Sequence, residues 1–209
     1  MDNTVERLNQ FQKSIIIGTM LGDGYMRIVP GRRDAFLEIN HTLHQREYVM
    51  WKYEMLKGIR AGVPKVRKGK GTRMAIRFHT RQSEELTVLH RSFYRNGVKI
   101  IPPDIQFDPL MLSVWFMDDG SRCRDCDVYL NSQQFDIDSQ MILIVALLRL
   151  GLEATLNKDK DYKRIRFLKE SIPLLFAIMR PYIIPSMYYK IGLESVETTR
   201  RSPIRSVVG

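Results

Sequence analysis

An apolar helical stretch ending in an acid and a glycine occurs twice in this chain. The copies are Ile16-Ile17-Gly18-Thr19-Met20-Leu21-Gly22-Asp23-Gly24 and Leu112-Ser113-Val114-Trp115-Phe116-Met117-Asp118-Asp119-Gly120. The same order of patterns follows each: strand, helix, two strands, helix, then proline and lysine. Asp23 and Asp119 are 96 residues apart, Lys99 and Lys190 are 91 apart, and the tripeptides Ile76-Arg77-Phe78 and Ile165-Arg166-Phe167 are 89 apart. A shared tripeptide alone is at the level of chance, but an ordered series is not. The chain reads as a degenerate tandem repeat, which predicts an α+β molecule with a pseudo-twofold axis.

Local signals place the elements. Residues 9–22 are helical up to Leu21 and stop at Gly22-Asp23-Gly24. A strand is predicted at 35–41, and a helix at 45–58 carries Tyr48, Trp51, Met55 and Leu56 at helical spacing. Strand-like segments lie near 64–68 and 73–79. Ser83 then caps a helix to Arg95, with Asn96-Gly97 as its stop. Residues 98–108, with Pro102-Pro103, read as a connector. Asp108-Pro109 opens the second apolar helix as a capping residue followed by proline. A strand at 127–132 follows, then a helix capped by Asp136 or Asp138 and closed by Gly151. Two strands flank the polar turn at 157–161, and a helix runs from Ser171 to Arg180. The division expected is a first half at 1–97, the connector at 98–108, a second half at 109–193 and a tail at 194–209.

Charge narrows the partner. Lys and Arg number 33 against 23 Asp and Glu, a formal net charge of +10, which favours a polyanion such as nucleic acid. From Arg60 to Arg81 there are eight basic residues (Arg60, Lys65, Arg67, Lys68, Lys70, Arg73, Arg77, Arg81) and no acid. Within that run, alternation puts Arg73, Ala75 and Arg77 on one strand face, a shape suited to a DNA major groove. A composition of 44% hydrophobic and 27% charged residues excludes disordered, collagen-like and disulfide-scaffold chains. The longest apolar run considered, Ile142 to Leu148, falls well short of the roughly 18 residues of a membrane span. Neither a basic start nor an apolar core marks a signal peptide at the N-terminus. Two cysteines give no sign of an oxidising compartment. An intracellular protein, in a prokaryotic cytoplasm or an organelle matrix and not secreted, is the expectation.

The two motif helices carry the chemistry. Gly18 and Gly22 lie four apart on one face, where missing Cβ atoms let another helix come close. If the helices pair, their C-terminal ends bring Asp23 and Asp119 together. A helix C-terminus is already partly negative, so carboxylates there call for a cation. Carboxylates with helix-end carbonyl oxygens make an oxygen-rich site suited to Mg²⁺. Candidate contributors to that site are Asp23, Asp119, Gly22 and Asp118, the last having no acidic counterpart in the first half and reading better as helix-pair packing. Other features carry less. Cys123-Arg124-Asp125-Cys126 has zinc-knuckle spacing without a second pair, so it reads as a reduced, metal-free pair in a loop. His41, His44, His79 and His90 have no repeated spacing in the second half, which disfavours a histidine-based nuclease. Trp51 and Trp115 sit at core positions, and no phosphate-binding glycine loop appears.

These residues carry a resemblance. Leu21-Gly22-Asp23-Gly24-Tyr25, Trp115-Phe116-Met117-Asp118-Asp119-Gly120, Leu130-Asn131-Ser132-Gln133 and Pro181-Tyr182-Ile183-Ile184-Pro185 with Tyr189-Lys190 resemble the double-motif LAGLIDADG homing endonucleases. This is the monomeric branch typified by a yeast mitochondrial intron enzyme, and the likeness covers about residues 12–192. It implies a tandem αββαββα repeat with two saddle-shaped antiparallel sheets and a central pair of motif helices. It further implies Mg²⁺-dependent cleavage of both strands of double-stranded DNA across the minor groove, leaving short 3′ overhangs. Mn²⁺ is expected to substitute, and Ca²⁺ to bind without cleavage. The motif acids fall on Asp23 and Asp119, and the basic active-site residues on Lys99 and Lys190. Glu38, Asn40 and Gln133 are candidates for positioning water. Arg32, Arg33, Lys68, Lys70, Arg73, Arg77, Arg122, Arg124, Lys158, Lys163, Arg164 and Arg166 are candidates for DNA contact. Because the halves differ in sequence, the target is expected to be long and non-palindromic, and the protein to act as a monomer. Two other readings stay open: an intron maturase that binds RNA, and a non-cleaving DNA-binding regulator.

Overall fold

The computed structural model describes residues 7–69, 71–124 and 127–193. Lys70, Asp125, Cys126, Met1 to Glu6 and the tail from Glu194 lie outside the described residues. The first half runs α1 (Gln10–Leu21), β1 (Tyr25–Ile28), β2 (Ala35–Thr42), α2 (Arg46–Met55), β3 (Arg60–Lys68), β4 (Met74–Thr80) and α3 (Glu84–Phe93). A small hairpin, β5 (Tyr94–Arg95) and β6 (Val98–Lys99), leads away from it. The second half repeats the order: α4 (Pro109–Asp119), β7 (Gly120–Arg124), β8 (Asp127–Leu130), α5 (Ile137–Leu148), β9 (Ala154–Asp159), β10 (Tyr162–Phe167) and α6 (Ile172–Met179). The two large sheets share one topology, β1-β2-β4-β3 and β7-β8-β10-β9, with antiparallel neighbours throughout.

Capping fixes where each motif helix begins. The Asn9 side chain accepts from Gln12 N at 2.8 Å, and the Gln12 side chain accepts from Asn9 N at 3.2 Å, a reciprocal box that satisfies two otherwise orphaned donors. Asp108 accepts from Met111 N at 2.8 Å, with Pro109 preset in the first turn. The other Asp108 oxygen accepts from the Ser14 hydroxyl of α1, so one carboxylate ties the two helix starts together. Trp115, Phe116, Val114, Ile15, Ile16 and Met20 are all fully buried between the halves' layers of side chains.

Four sequence expectations change. β1 and β7 follow the motifs directly, where local patterning placed no strand and only the αββαββα order of the resembled family called for one. β1 has four residues with only Met26 fully buried, and β7 is Gly-Ser-Arg-Cys-Arg, so neither shows apolar alternation. Cys123 accordingly lies in strand β7, exposed, rather than in a loop. Asn96-Gly97 does not stop a helix, since α3 ends at Phe93. Both residues have positive φ, 51° and 76°, which makes them the tight turn of the β5–β6 hairpin that delivers Lys99. Finally, the two Ile-Arg-Phe tripeptides are not in equivalent register. Phe78 pairs with Ile39, whereas it is Ile165 that pairs with Leu130. The shift is two residues, so the faces are preserved.

Candidate active site at the paired helix ends

The motif helices touch through residues that are each other's repeat counterparts. Gly18 and Val114 are 96 positions apart, as are Gly22 and Asp118. A Cβ on Gly18 would come within 2.5 Å of the Met111 carbonyl and 2.8 Å of Val114 Cβ, and one on Gly22 would overlap Asp118 Cβ. At a pseudo-twofold axis equivalent positions meet, and here only one member of each pair has room for a side chain. The expected close approach through Gly18 and Gly22 is therefore present, and it explains why the first motif is glycine-rich and the second is not.

That approach brings both acids to one cavity of about 570 Å³, lined by Asp23, Asp119, Lys99, Asn131, Gln133 and Gln134 among others. The two lysines are placed alike. Lys99 Nζ donates to Gly22 O at 3.2 Å and Gly24 O at 2.9 Å, and Lys190 Nζ donates to Asp118 O at 2.8 Å. Each thus caps the carbonyl just before its motif acid, where the helix end is negative. Burial pushes Lys99 down to about 8, against the pull of Asp119, Asp118 and Asp23. Burial likewise lowers Lys190.

The acids differ. Asp119 is pushed up to about 7, first by burial and then by Asp23 and Asp118. Its side chain has no hydrogen-bond partner among the described residues. Burial would also raise Asp23, but the His41 contact and the charges of Lys52 and Lys190 outweigh it and leave Asp23 below its ordinary value. A buried carboxylate that binds a proton so readily is a site short of positive charge. A divalent cation between Asp23 and Asp119 suits that donor set.

Asp118 faces elsewhere. Its carboxylate is fully buried and takes Lys52 Nζ at 2.7 and 3.0 Å. Lys52 is itself completely buried on α2, with its ammonium 4.4 Å from the Tyr48 ring centroid. His41 of β2 lies alongside, with Nε2 3.6 Å from Asp118 and Nδ1 3.4 Å from Asp23 Oδ2. The ligand atoms of Asp23, His41 and Asp118 fall within 4.8 Å of one another, but Lys52 already occupies the Asp118 oxygens as the local cation. Asp118 therefore packs and pairs, and the Gly22 carbonyl accepts from Lys99 and Gln134.

The remaining candidates separate by strand face. Arg77 donates to Glu38 at 3.0 Å and Arg27 lies 3.8 Å from the same carboxylate, so Glu38 is held in its sheet. Asn40 shares a smaller cavity with Asp23 and His41. Gln133 lines the main cavity while donating to Asp159 at 3.0 Å. Arg73 is exposed at the entrance to β4, and Arg32, Arg33 and Arg124 are exposed on loop or strand end. Arg164 and Arg166 lie opposite buried Ile165 and Phe167, with Arg166 paired to Asp127 at 2.8 Å. Arg122 donates to Ile191 O at 2.8 Å. Lys158 and Lys163 pair with each other on the parity of Ile165, and Lys68 on that of Ile76, so these three take the opposite face from the arginines. Lys65 and Arg67, named in the basic run but not among the DNA-contact candidates, pair with Arg77 and Ala75 and so share the face of Arg77. His41, Lys52 and Gln134 were also missed. Lys52 sits four residues after Tyr48, in the middle of the buried arc of α2, which was the available signal.

Comparison with known proteins agrees with this geometry. The cytochrome b mRNA maturase bI2 of Debaryomyces hansenii is 27% identical over 198 residues, covering 88% of this chain and 75% of that one. Its namesake in Saccharomyces cerevisiae is also 27% identical, and the match spans half of that longer protein (50%). The probable intron-encoded endonuclease 1 of Wickerhamomyces canadensis is 25% identical over 88% of this chain and 85% of its own. The homing endonuclease I-WcaI, solved bound to its DNA recognition sequence, superposes with a TM-score of 0.82 at 25% identity, over 91% of this chain and 89% of that one. Residues 13–175, which include most of α1, all of α4 and both four-stranded sheets, match one family throughout, and the chain belongs to the LAGLIDADG DNA endonuclease family.

Proposed function

We propose that this protein is a site-specific endonuclease that cuts both strands of a long, non-palindromic DNA site, acting as a monomer with Mg²⁺ and leaving short 3′ overhangs. The observation that carries the reading is the twofold arrangement of acid and lysine, Asp23 with Lys99 and Asp119 with Lys190, around paired helix ends. Asp23 and Asp119 would hold the cation, which supplies Lewis acidity toward a phosphoryl oxygen and lowers the barrier to attack by water. The protein's own part is positional and electrostatic. Lys99, with its pKa near 8, keeps its proton at neutral pH and sets positive charge beside the phosphate as negative charge develops there. Lys190 does the same at the other helix end. Gln133 and Asn131 line the same cavity and offer hydrogen bonds to ordered solvent.

The basic strand faces supply affinity. Arg73, Arg77, Arg164 and Arg166 lie on the sheet faces opposite the buried side chains, where arginine can read guanine edges and lysine mainly neutralises phosphate. The halves present different residues at equivalent positions, which supports a target without twofold symmetry.

A second reading is favoured by the names of two relatives: assistance to splicing through RNA binding. Plasmid cleavage against a library of long random sites, with Mg²⁺ and then Ca²⁺, separates the two. Sequencing the ends is expected to give one asymmetric site, short 3′ overhangs, and cleavage with Mg²⁺ only. DNA bound but never cut would leave a regulator, and structured RNA bound in preference to DNA would leave a maturase.

A further inference from the structure

We infer that His41 is a positioning residue for Asp23, and that it makes the two strand-cutting centres unequal. The inference rests on the endonuclease reading above and adds a residue to it. His41 is buried, its side chain 1% exposed, and its two nitrogens face different partners. Nε2 lies 3.4 Å from Lys52 Nζ and 3.6 Å from Asp118 Oδ1, which fixes that edge of the ring. Nδ1 points the other way, 3.4 Å from Asp23 Oδ2, and has no hydrogen-bond partner among the described residues. A buried polar nitrogen left unsatisfied is costly and rare. Here it is aimed at a half-exposed carboxylate that the proposed chemistry needs in one orientation. A small rotation of Asp23 completes the bond, so the ring is a stop against which Asp23 settles.

Among the described residues, the second half has nothing comparable. Tyr25 pairs with Glu38, which puts Gly24 opposite Ile39, and Gly120 pairs with Leu130. Since Gly24 and Gly120 follow the two motif acids, Ile39 corresponds to Leu130 and His41 to Ser132. The same offset relates Gln45 to Asp136, the residues that open α2 and α5, and Lys52 to Leu143. Ser132 is buried and its hydroxyl accepts from Ile165 N at 3.2 Å, so it is committed to the sheet. Leu143 is core, and the counterpart of Asp118 is Gly22. The histidine, lysine and acid that flank Asp23 are thus matched beside Asp119 by serine, leucine and glycine. Tyr48 locks the cluster from α2, its hydroxyl donating to Val114 O at 3.1 Å and its ring 5.4 Å from that of His41. Rigid support on one side only gives one well-held acid and one that depends on the bound cation for its orientation.

The test is strand-resolved cleavage of a supercoiled plasmid carrying the selected site, with each strand labelled at its end. Wild type, His41→Leu and His41→Asn are compared with Mg²⁺, and thermal unfolding of each protein checks the fold. Removing the ring in His41→Leu should slow one strand by roughly ten- to a hundredfold, the scale of a misplaced reacting group, while the other changes less than about threefold. Nicked circles then accumulate. Asparagine keeps a polar atom near the position of Nδ1, so His41→Asn should recover much of the lost rate on that same strand. Equal slowing of both strands, or no slowing, would overturn the inference while leaving the nuclease intact. If His41→Leu unfolds, His41→Gln, whose amide sits away from the Nδ1 position, replaces it as the unsupported variant, and equal strand rates for that variant would overturn the inference. A wild-type protein that cuts neither strand removes the endonuclease reading and this inference with it, and that outcome is visible in the wild-type lane alone.

Discussion

The two halves of the site agree at the surface of the cavity and disagree directly beneath it. Above, each motif helix ends in an aspartate, and each has a lysine on the carbonyl preceding that aspartate. Below, Asp118 pairs with Lys52, while the repeat counterparts of these two residues are Gly22 and Leu143. Duplicated chemistry needs only the first layer to repeat. Where that layer meets the pseudo-axis, two equivalent side chains compete for one volume, so symmetry at those positions is sterically forbidden. Gly22 facing Asp118 and Gly18 facing Val114 are the outcome.

The largest effects should fall on the layer that repeats. Asp23→Asn and Asp119→Asn are each expected to reduce double-strand cleavage by roughly a hundred- to a thousandfold, comparable to removing a key transition-state stabiliser. Both should still bind DNA. Single-turnover rates check this, and a normal rate for either variant would remove that acid from the mechanism. The lower layer should respond unequally. Lys52→Met leaves a buried carboxylate without its cation, which costs about 3–5 kcal/mol. At roughly 2–4 °C per kcal/mol for a chain of this size, Tm should fall by about 6–20 °C. Leu143→Met, at the matching position, is a near-isosteric apolar swap expected to cost less than about 1.5 kcal/mol. Similar losses in the two melts would mean that Lys52 is merely packing.

A smaller effect tests the steric account of the axis. Gly18→Val alone forces α1 and α4 apart and should cost about 1–3 kcal/mol, typical of overpacking. Adding Val114→Gly moves the same side chain across the axis and should return a good part of that loss. No recovery in chemical denaturation would show that the interface does not treat the two positions as equivalent.

This contrast also explains what the sequence disclosed. Repeated features were legible because each copy supports the other: the motif acids, Lys99 and Lys190, and the order of motif helix, strand, helix, two strands and helix. Asp108-Pro109 marked the start of the second motif helix. The further strand of each αββαββα unit came only from the family resemblance. Gly18 and Gly22 were legible from spacing on one helix. What stayed hidden was unrepeated or lacked periodicity. His41 was set aside because no histidine recurs, yet its role depends on standing alone. Lys52 looks like a surface charge until Asp118, 66 residues away, reaches it across the helix pair. β1 and β7 are short and lack clear alternation, and their identity comes from pairing with β2 and β8 rather than from their own residues. The Ile-Arg-Phe match pointed to the right repeat from the wrong register, since strand parity survives a two-residue shift.

The last prediction concerns the difference between the two acids. Asp119 in the metal-free protein is pushed up to about 7 by burial and by Asp23 and Asp118, against an ordinary value of 3.8. The folded state therefore holds a proton on Asp119 at pH values where the unfolded chain has lost it. Its contribution to stability is complete below about 4 and is lost as pH rises through 7. Lys99, depressed to about 8, is protonated in both states below pH 7 and adds no slope there. Asp119→Asn abolishes the titration, so the wild-type minus variant difference isolates it. That difference in unfolding free energy should move against the wild type between pH 5 and 7.5. Saturating Mg²⁺ replaces the proton as the compensating charge and should flatten the dependence. Its apparent affinity should fall by up to about tenfold per pH unit below 7, as proton and cation compete for one carboxylate. The same titration on Asp23→Asn should leave a downshifted Asp119, since one of the charges that raises it has gone. If Asp119 titrated near 4 in wild type and variant alike, the two acids would not share a common field, and the paired-helix site would be two separate ones.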